Sequence, residues 1–107
     1  MKLYGLKNCD TCKKAQKALE AGGNDVEFID VRQSPLDSSV LERFLGAFGE
    51  EKLVNKKSTT WRQLDEPARA TPALQLLKDN PALMKRPVIQ TDNELLLGWG
   101  KEVQVRF

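Results

Sequence analysis

The chain contains no histidine. That absence removes Ser-His-Asp and Cys-His hydrolase chemistry, and it removes imidazole both as a metal ligand and as a proton carrier near neutral pH. Cysteine is almost as scarce, with two residues, Cys9 and Cys12, in 107. Two cysteines cannot form a disulfide scaffold, and closing so small a ring would take little entropy from the unfolded chain, so the pair makes a poor structural staple. With two sulfurs and no imidazole, a zinc site would need carboxylates to complete it, and no metal is expected. Neither sign of charge is in excess: 17 Lys and Arg oppose 15 Asp and Glu, a net +2. Nothing global therefore calls for nucleic acid or an anionic membrane as a partner. No apolar run reaches bilayer length, and Met1 to Gly5 carry no basic segment leading into an apolar stretch; the expected location is the cytoplasm. A chain of this length closes one ordinary domain and has no room for a second independent core.

What is present has a clear order. Lys2-Leu3-Tyr4-Gly5-Leu6 reads as a short strand, followed by Asn8 and a helix over residues 10 to 21 that puts Cys12, Ala15 and Leu19 on one inward stripe before Gly22-Gly23 stops it. Residues 26 to 31 read as a second strand, parallel to the first through a right-handed crossover. Ser34-Pro35-Leu36-Asp37 leads into a helix with Val40, Leu41, Phe44, Leu45 and Phe48 on one face, ending at Gly49. The chain is then polar and basic through Thr60, and Trp61-Arg62-Gln63-Leu64 begins a short helical piece. Thr71-Pro72 is the expected cap and first position of a further helix, which Asn80-Pro81 ends. Two short strands flanking Asp92-Asn93 form a hairpin. Strand, helix, strand, several helices, hairpin: this is a mixed sheet covered by helices.

The chemistry centres on Cys9-Asp10-Thr11-Cys12, placed where a strand hands over to a helix. There Cys9 meets unpaired backbone N–H groups whose partial positive charge favours thiolate over thiol, and Cys12 lies one turn on. Lys13 and Lys14 would add positive charge, with Asp10 weakly opposing. A bare C-x-x-C is only moderately specific, the alternatives being inert helix cysteines or half a metal site, but its context favours redox chemistry with Cys9 attacking and Cys12 resolving. Pro87, after Arg86, cannot donate to a sheet and marks the start of the hairpin. Lys56, Lys57, Arg62, Lys85 and Arg86 are cations that could gather around a thiolate and hold an oxyanion or the carboxylates of a peptide thiol. Trp61 and Trp99 are read as core or rim aromatics.

Four segments in the same order, YGLKNCDTCKK from Tyr4, NKKSTTWRQLDE from Asn55, KRPVI from Lys85 and LLGW from Leu96, closely resemble the YffB-like proteins of the arsenate reductase (ArsC) and Spx group. The resemblance implies an α/β, thioredoxin-like mixed sheet with an inserted helical subdomain at roughly residues 35 to 84 of one domain spanning 1–107. It implies Cys9 as the catalytic cysteine, a cis proline at Pro87 facing it, and substrate contacts from Arg86, Pro87 and Lys57, with Lys56 one register away. Three arginines bind the oxyanion in arsenate reductases of this type; here Arg86 matches one, a lysine stands at another, and the third position falls near Trp99. The resemblance thus points to a glutathione-dependent thiol reductase, with glutathione as co-substrate and no bound cofactor, ahead of arsenate reduction linked to glutaredoxin. The alternative it offers is a redox-sensing regulator that binds the RNA polymerase α subunit.

Overall fold

The computed structural model describes residues 1–107. In chain order the elements are β1 (Lys2–Gly5), α1 (Asp10–Ala21), β2 (Glu27–Asp30), α2 (Ser38–Phe48), α3 (Glu50–Leu53), α4 (Thr59–Gln63), α5 (Glu66–Arg69), α6 (Ala73–Asp79), a 3₁₀ turn at Pro81–Leu83, β3 (Val88–Gln90), β4 (Leu95–Leu97) and α7 (Lys101–Gln104). They fall into two compact units, one made of Met1–Ser34 with Arg86–Phe107 and the other of Pro35–Lys85.

The first unit carries a four-stranded sheet in the order β2-β1-β3-β4. Strands β1 and β2 pair in parallel with Leu3 opposite Phe28, while β3 runs antiparallel to both β1 and β4, Ile89 lying opposite Leu3 and Leu96. The parallel pairing follows from the intervening helix, since two parallel neighbours need a long crossover. α1 covers the sheet with the expected stripe: Cys12, Ala15 and Leu19 join Leu3, Ile89 and Val103 in one buried cluster. Leu3, Leu19, Ile89 and Val103 each contribute about 1.5–3 kcal/mol by leaving water. α1 ends where the Gly22 N–H bonds to Ala18 O at 3.1 Å and Gly23 takes a φ of +88°. After β4 the chain packs back, with Val103 buried and Phe107 stacked on Trp99, ring centroids 6.3 Å apart. This mixed sheet with an inserted helical subdomain is the thioredoxin-like arrangement.

The second unit is helical. Leu41 and Phe44 of α2 are buried, as are Leu53, Val54, Leu76, Leu77, Leu83 and Met84. Val54 and Met84 form an isolated antiparallel bridge, flanked by Asn55 N–H to Leu83 O at 2.8 Å and Lys85 N–H to Leu53 O at 2.7 Å. Three details differ from expectation. The polar stretch after Gly49 opens with a helical turn, α3, which Gly49 permits by turning the chain at φ +82°. Asp65 caps an unforeseen turn, α5, by accepting from the Ala68 N–H at 2.9 Å. The helix expected to be capped by Thr71 is capped one residue later at Pro72, while the Thr71 hydroxyl bonds back to Pro67 O. No helix is long and apolar enough to cross a membrane.

Candidate active site

Sequence at the end of β1 places the reactive group. After Gly5 and Leu6 the chain turns, the Cys9 N–H bonding back to Leu6 O at 3.1 Å. Cys9 then stands as the N-cap of α1, with extended φ and ψ of −93° and 117°, and its carbonyl accepts from Lys13 N–H at 3.0 Å. The N-cap lies one step outside the first helical turn, where a side chain faces the free first-turn amides of a 12-residue helix. Cys9 is partly exposed and Cys12 is wholly buried; neither is in a disulfide.

The two thiols are driven in opposite directions. Partial burial would raise the Cys9 thiol, but the Cys12 amide N–H, the Cys12 thiol and the Arg86 guanidinium outweigh it and hold it below the ordinary cysteine value. Burial dominates at Cys12, whose thiol is pushed up to about 12, with the negative charge at Cys9 adding to the rise. The pair therefore holds one proton on Cys12 and leaves the ionisable sulfur at the accessible position. Lys13 and Lys14 are exposed, and the cation acting on Cys9 is instead Arg86, from the start of the hairpin. Cys12 is held by a close approach: its Sγ lies so near β1 that a Cβ built on Gly5 would stand 2.5 Å from it.

Arg86 and Pro87 are joined by a cis peptide bond. Pro87 is buried and its carbonyl accepts the Gly98 N–H at 2.8 Å, which ties this bend to the end of β4. Because β3 begins at Val88, the missing proline N–H costs the ladder nothing.

A sequence model of the ArsC family matches residues 4–107. The chain belongs to the ArsC family. Its fold superposes on that of a protein titled YffB with a TM-score of 0.90 at 31% identity, covering 98% of this chain and 96% of that one. An uncharacterized protein of Haemophilus influenzae is 44% identical over 98% of this chain and 96% of its own length. The global transcriptional regulator Spx of Listeria innocua is 26% identical over 98% of this chain and 84% of its own length.

Of the residues singled out in this ArsC-family sequence, Cys9, Cys12 and Arg86 share one electrostatic cluster, and Pro87 follows Arg86 directly. Lys57 belongs to the helical unit, where it is exposed and its backbone N–H bonds to Asn55 Oδ1 at 3.1 Å. Two residues went unnoticed in the sequence. Asp30, at the end of β2, accepts the backbone N–H groups of Lys7 at 2.9 Å, Arg32 at 2.9 Å and Gln33 at 3.0 Å. The first of these bonds anchors the turn two residues before Cys9, and the N–H donors, led by Lys7, hold the carboxyl below its usual range. An aspartate followed by turn residues is a recognisable signal for the local pair of bonds; the long-range bond to Lys7 has none. Gly5 is the second, its need for a bare backbone set by the sulfur of Cys12.

Proposed function

We propose that this chain is a thiol–disulfide oxidoreductase in which Cys9 attacks a small disulfide or a glutathionylated protein, with glutathione as reductant. The carrying observation is the polarised pair: a partly exposed Cys9 whose thiolate is favoured, beside a sealed Cys12 that keeps its proton. On a glutathionylated substrate, the Cys9 thiolate attacks the glutathione sulfur; a Cys9–glutathione disulfide forms and the substrate leaves as a thiolate that takes a proton from water. A second glutathione thiolate attacks the glutathione sulfur of that adduct, giving glutathione disulfide and regenerating the Cys9 thiolate. Two electrons pass from glutathione to the substrate.

Arg86 stabilises Cys9 whenever it carries charge, both before attack and as leaving group, and its guanidinium suits a glutathione carboxylate. The bend at Pro87 offers backbone to the tripeptide, and Lys57 is proposed as a further cation for the substrate's carboxylates, tested by K57Q raising KM with kcat unchanged. Cys12 acts chiefly as a hydrogen-bond donor to the Cys9 thiolate, which makes free glutathione the main resolving thiol.

Replacing Cys9 by serine should abolish glutathione-linked disulfide turnover, whereas C12A should retain it. Mass spectrometry after oxidation in the presence of glutathione should find one glutathione on Cys9. Full turnover by C9S would remove Cys9 from the mechanism; an internal Cys9–Cys12 bridge as the sole product would make Cys12 the resolving thiol instead. The Spx relative favours a second reading as a redox-sensing regulator, and retention of RNA polymerase α subunit together with no disulfide turnover would select it. Turnover of arsenate with glutathione and glutaredoxin would widen the substrate class to an oxyanion.

A further inference from the structure

The helical unit contains an open recess of about 230 Å³, lined among others by Glu50, Val54, Lys56, Trp61, Arg69 and Leu76. Its construction is local. Ser58 caps α4 by accepting the Trp61 N–H at 3.1 Å, which fixes the indole's helix, and Arg69 of α5 reaches back to donate to Trp61 O at 3.1 and 3.2 Å and to Arg62 O at 3.3 Å. Two cations consequently stand at the indole ring, the Arg69 Cζ 5.3 Å and the Lys56 Nζ 5.6 Å from its centroid. Such contacts are favourable, but they consume no N–H donors. The Lys56 ammonium makes no hydrogen bond or ion pair, the Arg69 Nη1 makes no hydrogen bond, and the Trp61 indole N–H has no acceptor.

Three residues with spare donor capacity thus line one recess. Glu50 is the acid among these lining residues, and it forms no ion pair with either cation, so this lining carries a net positive charge. Buried Val54 and Leu76 contribute an apolar wall. A flat ring gains little here, since the indole already carries two cations within reach of its face. A multiply charged anion would meet Glu50 and leave the apolar wall unused. An anion of one charge with an aliphatic body satisfies both parts.

We propose that this recess binds an aliphatic carboxylate through Lys56, Arg69 and the Trp61 indole N–H, with its hydrocarbon against Val54 and Leu76. The carboxylate could belong to a free amino acid or to a peptide chain end, and the two are separable by experiment.

The chain has two tryptophans, so a ¹H–¹⁵N spectrum shows two indole signals, assigned with W61F. Titration with N-acetyl-leucine should move the Trp61 signal to saturation while the Trp99 signal stays in place. N-acetyl-leucinamide should bind about tenfold more weakly or not at all, because it lacks the charge the donors recognise. Lys56 is exposed and makes no hydrogen bond or ion pair, so K56Q keeps the fold and should also weaken binding about tenfold. Tighter binding of N-acetyl-leucine than of L-leucine identifies a chain end, and the reverse order a free amino acid. The assignment is overturned by any of three results: no saturable movement of the Trp61 signal, equal binding of the amide, or inorganic phosphate binding as tightly as N-acetyl-leucine.

Discussion

Gly5 gives the sharpest test of how the cysteine pair is held. An alanine there puts its Cβ 2.5 Å from Cys12 Sγ, 3.2 Å from Cys12 Cβ and 3.5 Å from Leu3 Cδ2. Gly5 is not among the glycines with positive φ, so alanine can adopt its backbone and the cost is steric. Cys12 is fully buried, so its sulfur can move only against other core atoms. Overfilling a packed core costs about 1–3 kcal/mol. Alanine loses less chain entropy than glycine on folding, which returns roughly 0.4–1 kcal/mol. The net destabilisation is then about 1–2 kcal/mol. In a C12A background the sulfur is gone, and only the 3.2 Å contact with Cβ remains, so adding G5A should change stability by less than about 0.5 kcal/mol. The double-mutant cycle should show a coupling of about 1–2 kcal/mol, measured by urea unfolding of the reduced proteins at neutral pH. Equal destabilisation by G5A in both backgrounds would refute the claim that the Cys12 sulfur dictates glycine at this position.

Further outcomes follow from the same geometry. D30N leaves one acceptor oxygen for three backbone N–H groups and sets an amide donor against one of them, which should cost about 2–4 kcal/mol at neutral pH. Because the Asp30 carboxyl is held below its ordinary value, its stabilisation is complete above about pH 4 and disappears as pH falls through the lowered folded value; wild type and D30N should therefore converge in acid, and a gap as wide at pH 3 as at pH 7 would contradict the assignment. R86Q should move the midpoint of Cys9 alkylation upward, toward the reference of about 8.5, and an unmoved midpoint would show that the guanidinium does not act on the thiolate. C12A should shift that midpoint in the same direction while C12S, which keeps a donor, should restore part of the difference. Cys12 itself should resist iodoacetamide at pH 8 in the native protein and react in urea; its raised pKa also means that stability falls as pH climbs from about 8.5, where the unfolded thiol ionises, toward the folded value of about 12.

The periodicity that places Cys12, Ala15 and Leu19 on one stripe fixed α1 and the buried side of its sheet, and the Asp37 to Gly49 pattern fixed α2, because both are contacts between near neighbours in the chain. Where signals were weak or shared, boundaries moved: Pro72 rather than Thr71 caps α6, and the polar run after Gly49 hides α3.

The amino-acid order alone determined that no imidazole chemistry is available, that the two thiols sit at a strand-to-helix junction, and where the four strands and the helices α1, α2 and α6 lie. The environment that makes those thiols unequal was decided by the tertiary structure. Arg86 reaches Cys9 from 77 positions away, Asp30 grips Lys7 from across the parallel pair, and Gly5 presses against Cys12 because β1 and α1 pack face to face. Charge, burial and steric fit act through space, and a linear pattern records only the neighbours along the chain.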